Sequence, residues 1–258
     1  MTFITAGSSP VVATCGGWND QTILSSCHVL RSSQSLWTTG EMGDLPAPRF
    51  YAAVATLEGV GTYLLGGSEL VMALRTSVFL AAESMAWEEG PILPKDMDWP
   101  CAAKITSTSF LLLYGNTIVE YDTSLGGWRP AGTWPDLLTF RRGLGCTVMG
   151  RTLVIAGGLG GLKTTETLQL DTKTIAYGPS MATPRWAFHL ATILPGPRVL
   201  AVGGEDYGEY YGDFYWTSGN VMDSVEELVD GTWMEAAPME TRRSIYGAVV
   251  IPKGLVCT

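Results

Sequence analysis

Residues 153–158 read LVIAGG, a short apolar run that ends in the glycine pair Gly157 and Gly158. The same pattern recurs in VVATCGG at Gly16 and Gly17, in TYLLGG at Gly66 and Gly67, in VLAVGG at Gly203 and Gly204, and in degenerate form in FLLLYG at Gly115. Successive copies lie 50, 48, 43 and 46 residues apart, measured at the last glycine of each copy. A regular spacing of this size predicts a repeat architecture.

An aromatic residue follows the glycines of every copy, 13 to 29 residues later. These residues are Trp37, Trp87, Trp128, Tyr177 and Trp233. An apolar or β-branched run lies between, and a proline-containing turn, often with an arginine, follows the aromatic residue. Each unit therefore predicts four short strands, named a to d in chain order, of which b ends at the glycines. No stretch has the sustained helical period of apolar residues that a long helix requires.

Repeated four-stranded units of about 40–50 residues are typical of β-propeller blades, so the sequence predicts an all-β fold. Glycine at the end of strand b permits close backbone approach and a positive φ. A tryptophan on strand d supplies the large apolar area that fills the gap between two blades.

The double glycine, the aromatic residue about 20 positions later and the arginine before the next strand together resemble the kelch repeat. The resemblance covers nearly the whole chain and implies a kelch-type β-propeller. Two positions depart from the pattern, because Tyr114 replaces the first glycine of the third unit and Tyr177 replaces the tryptophan of the fourth.

The phase of the repeats predicts a single domain over residues 1–258, with five complete blades and the opening of a sixth. The units are residues 1–48, 49–98, 99–141, 142–185, 186–243 and, in part, 244–258. An incomplete six-bladed propeller is the favoured interpretation. A five-bladed ring that is closed by the C-terminal strand is the alternative.

The net charge limits the classes of partner, and the cysteine content does not decide the cellular compartment. A net charge of −9 argues against a nucleic-acid partner, and no apolar run is long enough for membrane insertion. Cys15 and Cys27 lie on neighbouring strands, so a disulfide and two free core thiols are equally compatible with the sequence. Cys101, Cys146 and Cys257 are expected to be free core residues. Cytoplasmic and extracellular locations both remain open.

The sequence predicts no catalytic residue, no metal site and no cofactor. Its two histidines, His28 and His189, lie on separate predicted strands, and zinc-type cysteine pairs are absent. We therefore expect a protein that is not an enzyme. One alternative comes from kelch-like copper oxidases similar to galactose oxidase, whose site combines histidines, tyrosines and a cysteine. The other is a structural module of a larger secreted protein.

Strand direction predicts a binding face, because the b–c and d–a connections of a propeller lie on one side. This side should carry Arg49, Arg142, Arg185 and Arg243, together with an aromatic insertion in the fifth unit that contains Tyr207, Tyr210, Tyr211 and Trp216. We expect it to bind another protein or a peptide. The kelch resemblance implies that the arginines bind an acidic peptide. The alternative is that each arginine joins its turn to the neighbouring blade.

Overall fold

Most strands in the computed structural model of this chain belong to four-stranded antiparallel sheets. The structure describes residues 2–6, 9–19, 21–31, 36–69, 72–193, 198–206, 208–211 and 215–244. Within these residues there are five four-stranded sheets and no helix, and the sheets are the blades of a β-propeller. The predicted all-β propeller fold is therefore confirmed. The partial sixth unit lies outside the described residues beyond Ser244.

The strands of each blade follow one another in space in the order of the chain. The first blade contains β1 (Thr2–Ala6), β2 (Ser9–Trp18), β3 (Ile23–Arg31) and β4 (Thr38–Thr39). The second contains β5 (Ala53–Leu57), β6 (Gly61–Leu65), β9 (Ser77–Ala81) and β10 (Glu88–Glu89). The third contains β11 (Cys101–Lys104), β12 (Ser109–Tyr114), β13 (Thr117–Asp122) and β14 (Gly127–Trp128). The fourth contains β15 (Gly145–Met149), β16 (Thr152–Ala156), β17 (Thr165–Gln169) and β18 (Ile175–Tyr177). The fifth contains β19 (His189–Ile193), β20 (Arg198–Val202), β23 (Val225–Val229) and β24 (Thr232–Ala236).

Two small hairpins extend the b–c connections of the second and fifth blades. They are formed by β7 (Ser68–Glu69) with β8 (Met72–Ala73), and by β21 (Gly208–Tyr211) with β22 (Tyr215–Ser218). Strand a is the innermost strand, because β1, β5, β11 and β15 each contact the strand a of the next blade. The a strands therefore surround the central channel.

Apolar side chains fill the space between blades from both faces of each sheet. In β12, Phe110 and Leu112 pack toward the second blade, while Leu111 and Leu113 pack toward the fourth. All four are fully buried, which explains why strand b reads as a continuous apolar run rather than an alternating one. The other interfaces are built in the same way.

The aromatic residues of strand d fill these gaps in three blades out of five. Trp87 and Trp233 are buried, and the indole N–H groups of Trp128 and Trp233 donate to the carbonyls of Ile92 and Pro179 in the preceding blade's connection. Trp37 is 39% exposed and Tyr177 is 62% exposed, so the predicted packing role is wrong for these two. Between the third and fourth blades the gap is filled instead by Trp134 and Leu137, which the repeat pattern did not identify.

The cysteines form two disulfides in the described residues. Cys15 and Cys27 are bonded across β2 and β3, which is one of the two arrangements that the sequence allowed. Cys101 and Cys146 are bonded between the inner strands of the third and fourth blades, so the expectation of free thiols there is wrong. This disulfide forms because β11 contacts β15 directly, which brings equivalent positions of consecutive units together. Cys257 lies outside the described residues.

The repeat glycines are required by geometry. Both members of each pair, and Gly115, have positive φ angles. A Cβ atom on Gly157 would lie 2.2 Å from the carbonyl oxygen of Arg185, which belongs to the connection that leads to the next blade. The pairs therefore allow strand b and the following connection to approach within hydrogen-bond distance.

We expect Gly157→Ala to lower the free energy of unfolding by at least about 3 kcal/mol, because a backbone clash adds to the cost of a left-handed alanine. Gly150→Ala is the matched control, since Gly150 has φ +62° and open space around its Cβ position. It should cost only ~1 kcal/mol. Urea unfolding of both variants tests this, and equal losses would contradict the close-approach explanation.

Candidate functional site

One residue of each d–a connection is hydrogen-bonded to the second glycine of the blade that precedes it. We call this residue the tie position, and it is occupied by Arg49, Met97, Arg141, Arg185 and Arg243. The N–H groups of Gly17, Gly158 and Gly204 donate to the carbonyls of Arg49, Arg185 and Arg243 at 2.9, 2.8 and 2.8 Å. Because Gly115 donates to Arg141 at 2.9 Å, the repeat arginine of that connection is Arg141, not Arg142 as predicted.

Two of the arginine side chains reach into the following blade and are fully used there. The Arg141 guanidinium donates to the carbonyls of Gly157 (2.7 Å) and Thr164 (2.9 Å) and pairs with Glu166. Arg185 makes the same contacts with Gly203 (2.8 Å), Ser224 (3.0 Å) and Glu226.

The glutamate of each pair also holds the connection. Glu166 accepts the N–H groups of Leu138 and Thr139 at 2.7 and 3.1 Å, and Glu226 accepts those of Ala182 and Thr183 at the same distances. A buried pair with this many hydrogen bonds offsets the cost of removing two charges from water.

The second and third blades lack this glutamate, and the connections that lead to them differ from the other connections accordingly. Val78 and Val119 occupy its position, and the residues three before the tie position are Pro46 and Pro94. Proline has no N–H group, so no carboxylate is needed to accept one. Met97 replaces the arginine before the third blade, whereas Arg49 remains before the second.

Arg49 is therefore a buried arginine that has a valine, Val78, where Arg141 and Arg185 have a glutamate partner. It donates to the carbonyls of Gly66 (3.3 Å) and Thr76 (3.2 Å), and its Nε has no hydrogen-bond partner among the described residues. Burial lowers its pKa.

These contacts correct the predicted binding role of Arg49 and Arg185. Both side chains are buried and bonded to backbone, so a partner cannot reach them. Their role is the alternative one, in which each arginine joins its turn to the neighbouring blade. Arg142 forms an ion pair with Asp98 of the adjacent connection, and Arg243 is exposed.

We expect Glu166→Val alone to cost about 3–5 kcal/mol, because Arg141 is left as an unpaired buried charge. The triple variant Leu138→Pro, Arg141→Met, Glu166→Val copies the connection before the third blade and should recover most of that loss. Urea unfolding measures both. A triple variant as unstable as the single one would show that the three positions are not coupled.

Four residues, each two positions after a tie position, lie around the mouth of the channel. They are Tyr51, Trp99, Gly143 and Ala187, and their φ angles are 60°, 55°, 63° and 52°. Backbone hydrogen bonds join successive members, from Gly143 to Trp99 (3.3 Å) and from Ala187 to Gly143 (2.9 Å). Three non-glycine residues in the left-handed region are uncommon, and such strain tends to collect at functional sites.

An aromatic cluster lies at this mouth. Tyr51 stacks on Trp99 with ring centroids 3.5 Å apart, and Trp99 lies 5.1 Å from Trp186. Ala187 and Leu159 pack against them. We call these five residues the mouth cluster.

Two buried carboxylates flank the mouth cluster. Glu205 pairs with Trp186 through two backbone hydrogen bonds of 3.0 Å, and Asp98 immediately precedes Trp99. Glu205 is 4% exposed and Asp98 is 9% exposed. One oxygen of each, Oε2 of Glu205 and Oδ1 of Asp98, has no hydrogen-bond partner among the described residues. Burial raises the pKa of Glu205, and burial together with the Glu205 charge raises the pKa of Tyr51 to about 12.

The b–c connections and the d–a connections share one side of the propeller, which we call the link face. Five large apolar residues on these connections are exposed among the described residues: Trp18, Met72, Ile92, Leu138 and Phe140. The predicted aromatic insertion lies on this face as well, as the hairpin of β21 and β22, in which Tyr210 faces Trp216 in the register. Only its backbone is described, and Tyr207 lies outside the described residues.

The opposite face carries a cavity of about 400 Å³ between the third and fourth blades. The cations around it already have partners. Arg129 pairs with Asp122, Arg151 pairs with Asp171, and Lys173 lies 4.7 Å from the centre of the Trp134 ring. The link face, with its unpaired carboxylate oxygens, is therefore the stronger candidate.

The two histidines that the copper-oxidase alternative would require lie on different blades. His28 is on β3 of the first blade and His189 is on β19 of the fifth, where burial lowers its pKa to about 4. Across the described ranges, no three His, Cys, Asp or Glu side chains are grouped as a metal site would require. In the same ranges no helix could cross a membrane.

Comparison with known proteins adds no assignment. No model of a known protein family matches the chain, and no curated protein is significantly similar to it. The β-propeller fold therefore rests on the structure.

We expect Glu205→Gln to raise stability at pH 7 by about 1 kcal/mol, because a buried and incompletely paired charge is removed. A raised pKa in the folded state means that the wild type loses stability as the pH rises above the ordinary carboxyl value of 4.5. The gain should therefore vanish in acid. Thermal unfolding across this pH range is the measurement, with Glu235→Gln on the exposed side of β24 as control. A loss of stability at pH 7 would contradict this account of Glu205.

Proposed function

We propose that this chain is a kelch-type propeller that binds another protein or a peptide through its link face and catalyses no reaction. The kelch assignment is supported by the repeat pattern of glycine pair, aromatic residue and arginine, and by the structural use of each glycine and of the buried arginines. The five-bladed arrangement is compatible with a protein-binding module.

The observation that carries the proposal is the exposed apolar surface of the link face. Met72 is on the β7–β8 hairpin, where it pairs with Glu69, and Ile92, Leu138 and Phe140 lie on two consecutive d–a connections. Exposed apolar side chains on the connections of a rigid scaffold are candidates for contact with a protein partner.

The two hairpins support the same face. Both are additions within a b–c connection, and the other b–c connections have no hairpin of their own among the described residues. Additions to a blade plan that the other units share can contact a specific partner without disturbing the core.

The test is binding of displayed random peptides to the immobilised protein, followed by affinity measurement with synthetic copies of the enriched peptides. Phe140→Asp should weaken binding at least about tenfold, because a charge replaces an apolar contact. Leu125→Asp is the matched control, since Leu125 and Phe140 are both 63% exposed and Leu125 lies on a c–d turn of the opposite face. Peptides that bind Phe140→Asp normally, or that lose affinity for Leu125→Asp, would place the site elsewhere.

A further inference from the structure

The cavity on the opposite face has the size and the solvent access that a small ligand needs. Its volume of about 400 Å³ lies within the range of small-molecule sites, roughly 300–1,000 Å³. Arg151 and Lys173 on its walls are exposed, and the side chain of Arg129 is 38% exposed. A dissolved molecule can therefore reach all three cations.

Two consecutive blades form the walls of the cavity. The third blade supplies Glu120 on β13, and the connection that follows β14 supplies Arg129 and Trp134. The fourth blade supplies Arg151 from the turn before β16 and Lys173 from the turn before β18. The disulfide between the third and fourth blades joins the inner strands of these same walls. The walls are therefore held together before a ligand arrives, which lowers the cost of binding.

The two carboxylates of the cavity are already in contact with donors. Oε2 of Glu120 accepts the indole N–H of Trp134 at 2.9 Å, and Oε1 lies 3.1 Å from Nε of Arg129. Both oxygens of Asp171 contact the guanidinium of Arg151. These carboxylates therefore hold the cations in place.

The three cations keep N–H groups that have no partner among the described residues. Arg129 and Arg151 each use Nε and Nη2 in their ion pairs, which leaves Nη1 of both. Lys173 donates one N–H to the carbonyl of Thr133 at 2.8 Å, and two N–H groups remain. The hydrogen-bonding capacity that these cations leave open consists of charged donors, which suit a ligand with anionic oxygen atoms.

We propose that this cavity binds a small molecule through the anionic oxygens of a carboxylate or phosphate group. These oxygens accept hydrogen bonds from Arg129, Arg151 and Lys173, and the apolar walls at Ile105 and Leu170 contact the rest of the molecule. Because the chain carries a net charge of −9, binding depends on these local donors and not on long-range attraction. The site lies on the face opposite to the link face and is independent of the protein-binding proposal.

The first experiment uses simple anions as probes. The indole N–H signal of Trp134 and the backbone N–H signal of Gly150, two residues that line the cavity, are followed by NMR of isotopically labelled protein. The probes are propionate and inorganic phosphate. The controls are propionamide, which has nearly the shape of propionate without its charge, and sodium chloride at matched ionic strength.

At least one of the two anions should shift both signals saturably, with a midpoint below about 10 mM, and neither control should do so. A response to propionate alone identifies a carboxylate ligand, and a response to phosphate alone identifies a phosphate ligand. Absence of a saturable shift, or equal shifts with a control, would overturn the proposal.

The second experiment assigns the response to the cations of the cavity. Arg151→Gln should raise the midpoint at least about fivefold, because it removes a charged donor and leaves Asp171 unpaired beside the ligand. Lys173→Asn repeats the test, since asparagine tolerates the φ of 56° at this position. Arg198→Gln is the matched control, because Arg198 is 54% exposed and pairs with Glu227 in the fifth blade, outside the cavity.

The backbone spectrum recorded in each titration shows whether the variant is folded. A midpoint that neither Arg151→Gln nor Lys173→Asn changes would overturn the proposal. An equal increase in Arg198→Gln would also overturn it, because the response would then come from the general charge of the protein and not from the cavity.

Discussion

The hydrogen bond from the second repeat glycine to the carbonyl of the tie position is the interaction on which the rest of this propeller depends. It exists because the glycines adopt positive φ and have no Cβ, so that strand b and the d–a connection can meet. In two connections the same residue then extends its guanidinium to the first glycine and to a glutamate of the following blade. Arg141 and Arg185 thus each contact two blades and join them near the channel.

The connections differ according to which of their backbone N–H groups need a hydrogen-bond acceptor. Where strand c supplies Glu166 or Glu226, two backbone N–H groups of the connection are available to it. Where a valine stands instead, a proline removes one of those N–H groups. The junction before the third blade has exchanged its whole polar network for apolar packing around Met97. Networks of this kind are favourable only when every member is satisfied, so their members are gained and lost together.

The architecture was predictable from the sequence because glycine spacing is a local property that repeats in register with the blades. The candidate site was harder to predict from the sequence. Two adjacent arginines, Arg141 and Arg142, cannot be told apart by counting, and only the hydrogen bond from Gly115 shows which one is the repeat residue. Likewise, Trp99 belongs to the third unit, whereas Trp186 and Glu205 belong to the fifth, and only the folded structure brings the two tryptophans into contact. One signal was present in the chain: an aromatic residue two positions after the tie position in the first two connections, at Tyr51 and Trp99.

The disulfide between Cys101 and Cys146 has a consequence of a different kind. It joins the inner strands of two consecutive blades, so residues 101–146 form a covalent loop that contains the entire third blade. This blade also begins at the one junction where the tie position holds a methionine rather than an arginine. A protease that cuts any one exposed turn of the third blade would therefore release no fragment, and the two halves of the propeller would stay linked as a single molecule until the bond is reduced.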